Sequence, residues 1–318
     1  MRDSPRVSAY AAALKDAVSS DSIVLDLGAG PGMFTLLACA YGAKRVYAIE
    51  GSSSVHHLQE LAKENGFSDR ITVIQGDSRR VSLPERANLL VTDLRGSLPF
   101  LGDNLETLAD ARARHLTPDA ILIPKADVVH AVMVRAPTLY DSLASPFPVA
   151  APLTLRSFVD ATLNTLHVTR SNEIRAEDVL SESTPILHLD YGSCLPGVAH
   201  GTASLRVTGE GMAHGVCLFF EAHTSEAHRF STAPGLPCVY GRSFLPLKEP
   251  LTLQVDDVVR VEVWANPGKG AYLWSWNTDF IRGEETLTKY RQSSFLAEPL
   301  DLLGKLGKPH AAPGAKKA

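Results

Sequence analysis

The sequence predicts an α/β domain built on a parallel sheet, followed by an all-β domain. Three observations carry that prediction. From Val7 to about Pro124, strand-like apolar runs alternate with helix-like segments, the pattern of parallel strands joined by crossover helices. A glycine-rich turn, "DLGAGPG" at 26–32, stands between the apolar run Ile23-Val24-Leu25 and the helix-like "MFTLLACA". Beyond about residue 126 the helical period largely disappears, and short β-rich segments separated by Gly, Pro and Asn take over, as in a barrel or sandwich. A chain of 318 residues, 45% hydrophobic, can bury a full core and divide into two domains.

In order, "SIVLDLG" reads as a buried strand and "GMFTLLACAYGA" as a helix ending near Gly42. "RVYAIE" is a second strand, and "SSVHHLQELAKENGF" an amphipathic helix capped by Ser52 or Ser53. "RITVIQGD" and "ANLLVTDL" are the third and fourth strands, "LETLADARARHL" the next helix, and "DAILIPKADVVHAVMV" then leaves the sheet. In the second half "ILHLDY", "GTASLRVTG", "HGVCLFFEAHT", "SFLPL", "LTLQV" and "VVRVEVWANP" read as strands. Residues 138–182 are less regular, with a helix expected near "SNEIRAEDVL", and the end of the chain reads as disordered from about 303.

With 31 basic and 35 acidic residues, the net charge of −4 sets up no global field that would draw nucleic acid or an anionic membrane, and neither is expected as a partner. The longest apolar runs, such as "VVHAVMV" at 128–134, fall far below the roughly 20 residues of a membrane helix, and the start lacks a continuous signal-type segment. The expected location is cytoplasmic. Cys39, Cys194, Cys217 and Cys238 are scattered without a C-x-x-C pair and read as reduced, buried thiols. His223 and His228 lack a cysteine or carboxylate at ligand spacing, so no metal is expected.

A strand, a glycine turn and a helix together present backbone N–H groups at a helix N-terminus, where nucleotide-like cofactors fit. Glu50 ends the second strand 20 residues after Gly30, a position from which a carboxylate can accept hydrogen bonds from ribose hydroxyls. The glycines stand at 28, 30 and 32, with Met33 in the third place of the dinucleotide fingerprint G-x-G-x-x-G, which disfavours a nicotinamide cofactor and a nicotinamide-dependent oxidoreductase.

"LDLGAGPG" instead resembles the signature of class I methyltransferases that use S-adenosylmethionine, with Glu50 and "QGDS" at 75–78 in the expected order. "VLDLGAGPGMFTLLACAYGAKRVYAIEGS", "RVSAYAAAL" at 6–14, "LTPDAILIP" at 116–124 and "GRSFLPLKEPLTLQVDD" narrow the resemblance to the protein arginine methyltransferases, over about residues 6–277. It implies a Rossmann-like S-adenosylmethionine-binding domain at 1–125 and a β-barrel substrate domain at 126–285. A dimerisation arm at 138–182 would make a homodimer, and a partly disordered tail would follow at 286–318. N-terminal to Arg6 almost nothing remains, so the family's first helix is expected to be missing or truncated.

The resemblance also implies site roles. Arg6, four residues before Tyr10, would bind the cofactor carboxylate; Asp26, Gly28, Ala29 and Gly30 its methionyl end; Glu50 with Gly51 its ribose; Asp77 and Ser78 its adenine. The family's double-glutamate loop, S-E-x-x-G-x-x-x-x-x-E, falls on "TDLRGSLPFLGDNL" at 92–105, with Asp93 for the first glutamate and Gly102 at the second. Asp103 is one residue away, and Val239-Tyr240-Gly241 replaces the family's T-H-W triplet. Asp93, Asp103 and Tyr240 are therefore the catalytic candidates. Arg95 either brings positive charge to the acceptor position or pairs with Asp93. The expected function is methyl transfer to a protein, peptide or small-molecule acceptor other than arginine. The alternatives are arginine methylation through Asp93 and Asp103, and a catalytically weak cofactor-binding scaffold.

Overall fold

The structure, a computed structural model, describes residues 4–100, 102–145, 154–268 and 270–296. Helix α1 (Ser4–Ala17) leads into β1 (Ile23–Leu27), α2 (Met33–Ala40), β2 (Arg45–Glu50), α3 (Val55–Glu64), β3 (Ile71–Gln75), β4 (Ala87–Thr92), α4 (Asn104–Arg114) and β5 (Leu116–Ile123). The five strands form a parallel sheet in the order β3-β2-β1-β4-β5. Val24, Leu25, Val46, Leu90 and Val91 are fully buried, as a sheet covered by helices requires. The chain turns to opposite sides after β1 and after β4, so their carboxyl ends flank the switch point where open α/β sheets bind ligands.

Two local expectations change here. Leu116–Ile123 stays in the sheet as β5, beside β4, because its apolar residues complete the edge of the core before the chain leaves. The residue at the head of α3 is Ser54, whose side chain makes no capping bond; Ser52 and Ser54 hydroxyls bond each other at 2.7 Å instead.

The second half contains β6 (Ala126–Val134), α5 (Pro137–Ala144), α6 (Arg156–Leu163), β7 (His167–Thr169), β8 (Thr184–Asp190), β9 (Ala199–Arg206), β10 (Gly211–His223), β11 (Arg229–Ser231), β12 (Arg242–Leu253), β13 (Val258–Pro267), β14 (Tyr272–Arg282) and β15 (Glu285–Ser293). One antiparallel sheet runs β7-β12-β10-β6-β8 with β11 on β10; the other runs β15-β14-β13-β9. The sheets meet on both sides. Ser181 bridges Val207, and a side chain at Gly201 would fall 1.7 Å from the Ile186 carbonyl, so β8 and β9 touch backbone to backbone. Opposite, Gln292 donates to the Pro246 carbonyl at 3.0 Å. The result is a barrel around Val261, Phe280 and Trp276.

The helix expected near 171–180 is only a 3-10 turn at Ala176–Asp178, and the helical residues of the arm lie earlier, in α5 and α6. "SFLPL" and "LTLQV" form one strand, β12. β15 pairs with β14 through Ser293, so the barrel runs past the expected boundary at 285. Cys39 and Cys217 are buried, whereas Cys194 and Cys238 are only half-buried. The disorder expected beyond 303, and residues 146–153 of the expected arm, lie outside the described residues. Among those described, no helix is long and apolar enough to cross a membrane, and no group of three His, Cys, Asp or Glu is placed to hold a metal.

Candidate active site

The glycine turn is tied to the end of β2, because the Gly28 and Ala29 N–H groups both donate to the Ile49 carbonyl, at 2.9 and 3.1 Å. Gly28, Gly30 and Gly32 have φ of +75°, +55° and +91°, where side chains are strained. The three glycines answer to different neighbours. A Cβ at Gly28 would lie 2.4 Å from Leu94, and one at Gly32 2.5 Å from Leu58, so a side chain at either would press on that leucine. A Cβ at Gly30 would meet nothing within 4 Å, so there the turn opens into free space.

Glu50 closes one side of that opening. Its Oε2 accepts from the Gly30 N–H at 2.9 Å and its Oε1 from the Ser52 N–H at 2.7 Å. Burial raises its carboxyl, but the Ser52, Gly30 and Gly51 N–H groups outweigh burial and hold it below the usual carboxylate range. Asp26, 1% exposed, lies beneath the turn and accepts from the Thr35 hydroxyl of α2 at 2.6 Å. Burial pushes its carboxyl up to about 7, against the pull of Thr35. Gly51 is exposed, and Ala29 is buried with its N–H on Ile49. Asp77 accepts from the Arg79 N–H at the head of a 3-10 turn, and the buried Ser78 offers its carbonyl to Arg114 at 2.8 Å.

Asp93, just past β4, gathers three partners. Arg6 donates to its Oδ2 at 2.6 Å, Tyr240 donates to its Oδ1 at 2.5 Å, and Arg95 reaches the same Oδ1 at 3.1 Å. Burial, then Asp93, drive the Tyr240 hydroxyl far above its ordinary range, so it stays protonated and donating. Arg95 is 2% exposed in its side chain and donates to Asp127 of β6 at 2.6 Å, as well as to the Tyr10 hydroxyl at 2.5 Å. Tyr10 in turn donates to the Thr92 carbonyl and stacks on Phe34 at 4.5 Å. Tyr191 donates to the other Asp127 oxygen at 2.5 Å.

Asp93 and Tyr240 thus meet, and Arg6 joins them. Asp103 does not; it stands at the head of α4, 46% exposed, and pairs with Arg79 at 2.8 Å, which also holds Asp77. Arg95 turns inward and pairs with Asp93 and Asp127. Asp127, Tyr191 and the fully buried Arg242, which donates to the Thr232, Ala233 and Leu236 carbonyls ahead of Tyr240, were not among the candidates. A signal existed for Asp127: it is the one charge in the apolar run of β6.

Residues 4–126 match the family profile of the TRM5/TYW2 methyltransferase domain. The mouse (Mus musculus) protein arginine N-methyltransferase 2 is 29% identical over 275 residues, covering 81% of this chain, and this chain spans only 61% of that relative's length. Protein arginine N-methyltransferase 1 of Schizosaccharomyces pombe is 37% identical over 105 residues, 33% of this chain and 31% of its own. Among solved structures, the Trypanosoma brucei PRMT1 enzyme-prozyme complex with AdoHcy superposes with a TM-score of 0.81 at 20% identity, over 92% of this chain and 95% of that one. The Arabidopsis thaliana protein arginine methyltransferase 10 gives 0.79 at 16% identity with the same coverage. Sheet order, glycine turn and profile define the fold of a class I S-adenosylmethionine-dependent methyltransferase. The barrel that follows is shared, as fold, with the two protein arginine methyltransferase structures.

Proposed function

We propose that this chain transfers a methyl group from S-adenosylmethionine to a protein, peptide or small-molecule acceptor. The observation that carries the reading is the Gly30–Glu50 contact: a carboxylate kept ionised beside the one glycine of the 28–32 turn whose face is open, at the switch point of the sheet. A cofactor with a ribose fits there, its hydroxyls donating to Glu50 in addition to the two backbone N–H groups. Bound there, it supplies an electrophilic methyl on a sulfonium.

The chain's own residues do the rest. Glu50 and the Gly28–Gly30 backbone orient the donor, Gly51 leaves its edge unobstructed, and Asp77 and Ser78 border the adenine side. Asp26 acts from beneath the turn, through Thr35, as a positioning residue, and Ala29 fastens the turn to β2. Arg6 offers a cation to the cofactor carboxylate while holding Asp93. Asp93 and Tyr240 face the acceptor, and alignment of donor and acceptor supplies most of the rate, since an in-line displacement needs no covalent enzyme intermediate. Arginine is handicapped as acceptor, because Gly102 carries no carboxylate and Asp103 is committed to Arg79, leaving one carboxylate where bidentate guanidinium binding favours two.

A homodimer formed through the arm at 138–182 and a cytoplasmic location complete the reading. The arm is supported by α5 and α6 being inserted in the chain between β6 and β7, and the location by cysteines too scattered for a disulfide framework. The test is incubation of the purified protein with methyl-labelled S-adenosylmethionine and a fractionated cell extract. Label entering an acceptor fraction only with active protein is expected; cofactor binding without any transfer would favour the scaffold alternative.

A further inference from the structure

Arg95 is held as a bound guanidinium ligand would be. Its edge donates to Asp127, Asp93 and the Tyr10 hydroxyl, and its Cζ lies 5.7, 5.2 and 5.5 Å from the ring centroids of Tyr10, Phe220 and Phe230. With Arg6 it sets two cations against the two carboxylates Asp93 and Asp127, so the cluster has no negative charge left over for a third cation. Past Gly96, the same loop borders a cavity of about 210 Å³. Ser97, Leu98, Phe100, Val168, Ser243 and Trp274 line it, and none of its described lining residues is charged.

We propose that Arg95 is the chain's own occupant of the guanidinium site and the residue that sets acceptor specificity, closing the Asp93 site to arginine so that the acceptor's reacting group is uncharged. The inference rests on the reading of Asp93 as an acceptor-side carboxylate. An arginine substrate would have to displace a buried, fully bonded guanidinium or sit beside it, where like charges repel. A neutral group avoids both costs.

The test vacates the place and offers a substitute. Wild type and Arg95→Ala are melted with millimolar methylguanidinium chloride, against equal methylammonium chloride, without cofactor. The wild type is expected to show no specific shift, and Arg95→Ala a saturable rise with methylguanidinium alone. An Arg-rich peptide is then offered with labelled S-adenosylmethionine. In transfer the acceptor N–CH3 bond forms as the S–CH3 bond breaks, the thioether departs and the guanidinium proton goes to solvent. Arg95→Ala is expected to label the peptide at least tenfold faster than wild type, a gain that a purely structural arginine would not give on removal. Arg95→Met fills the slot without charge, removes one of the two donors on Asp93 Oδ1 and guards against a misfolded Arg95→Ala; its KM for the peptide should fall at least tenfold. Methylguanidinium binding to wild type with the same midpoint as to Arg95→Ala, or folded variants with no gain in either readout, would overturn the proposal. Cofactor calorimetry on the wild type tests the methyltransferase reading separately.

Discussion

Arg6 and Asp93, 87 residues apart in sequence, form a 2.6 Å ion pair that joins α1 to the loop after β4. Each is largely buried, and Tyr240 and Arg95 complete the Asp93 shell. A double-mutant cycle of Arg6→Ala and Asp93→Asn should give a coupling of about 1–3 kcal/mol in denaturant unfolding, the range for charged, partly buried hydrogen bonds. A coupling near zero would mean that the pair does not hold the helix.

Asp127 is fully buried and compensates Arg95. Burial raises its carboxyl, while Arg95 and the Tyr191 hydroxyl pull it back. Asp127→Ala leaves Arg95 short of its partner and should cost about 3–5 kcal/mol, the usual penalty for breaking a buried pair. A loss under 1 kcal/mol in urea melts would contradict the assignment.

The glycines separate by function. Gly28→Ala drives a methyl into Leu94 at a strained φ and should destabilise the fold, as should Gly32→Ala against Leu58. Gly30→Ala meets no protein atom, so its stability loss should stay near the roughly 1–2 kcal/mol of a left-handed alanine, while cofactor affinity falls sharply. Thermal melts beside cofactor titrations would distinguish the positions; equal effects on both readouts would contradict this division.

Asp26 gives stability a pH signature. Its carboxyl is near 7 in the folded chain against an ordinary 3.8, so the folded state binds the proton more tightly. The associated stability is fully present below about pH 4 and is lost as pH rises through about 7, amounting to about 4 kcal/mol for a shift of roughly three units. Asp26→Asn keeps an acceptor for Thr35 and removes the titration. Its stability relative to wild type should therefore rise between pH 5 and pH 8 in denaturant melts, and a constant difference would count against a raised Asp26.

Much of the first domain was legible in the sequence, because strand and helix periods, glycine punctuation and the Glu50 offset are local signals. Several barrel strands were found, but β7, β11, β14 and β15 were not, and neither were the joins: β12 looks like two segments around Pro246 and Pro250, and only pairing with β10 makes it one. The α5 and α6 helices escaped notice because each is eight residues long and one opens with proline. At the site, Asp93 with Tyr240 and Glu50 beside Gly30 were visible as types at spacings. The Arg95–Asp127 pair spans both domains, and no local pattern announces a contact made only when sheet and barrel close on each other.

The arm offers a test of assembly. A homodimer predicts a light-scattering mass near twice 34.2 kDa at micromolar protein, and a monomer mass would remove dimerisation from the account.

The most direct test of the central claim is calorimetric titration of S-adenosylmethionine into wild type and Glu50→Ala. The account predicts saturable one-to-one binding to wild type, weakened by about 1.5–3 kcal/mol, or roughly 10- to 150-fold, when the ribose-side carboxylate is removed. No binding to wild type, or unchanged affinity in Glu50→Ala, would contradict it.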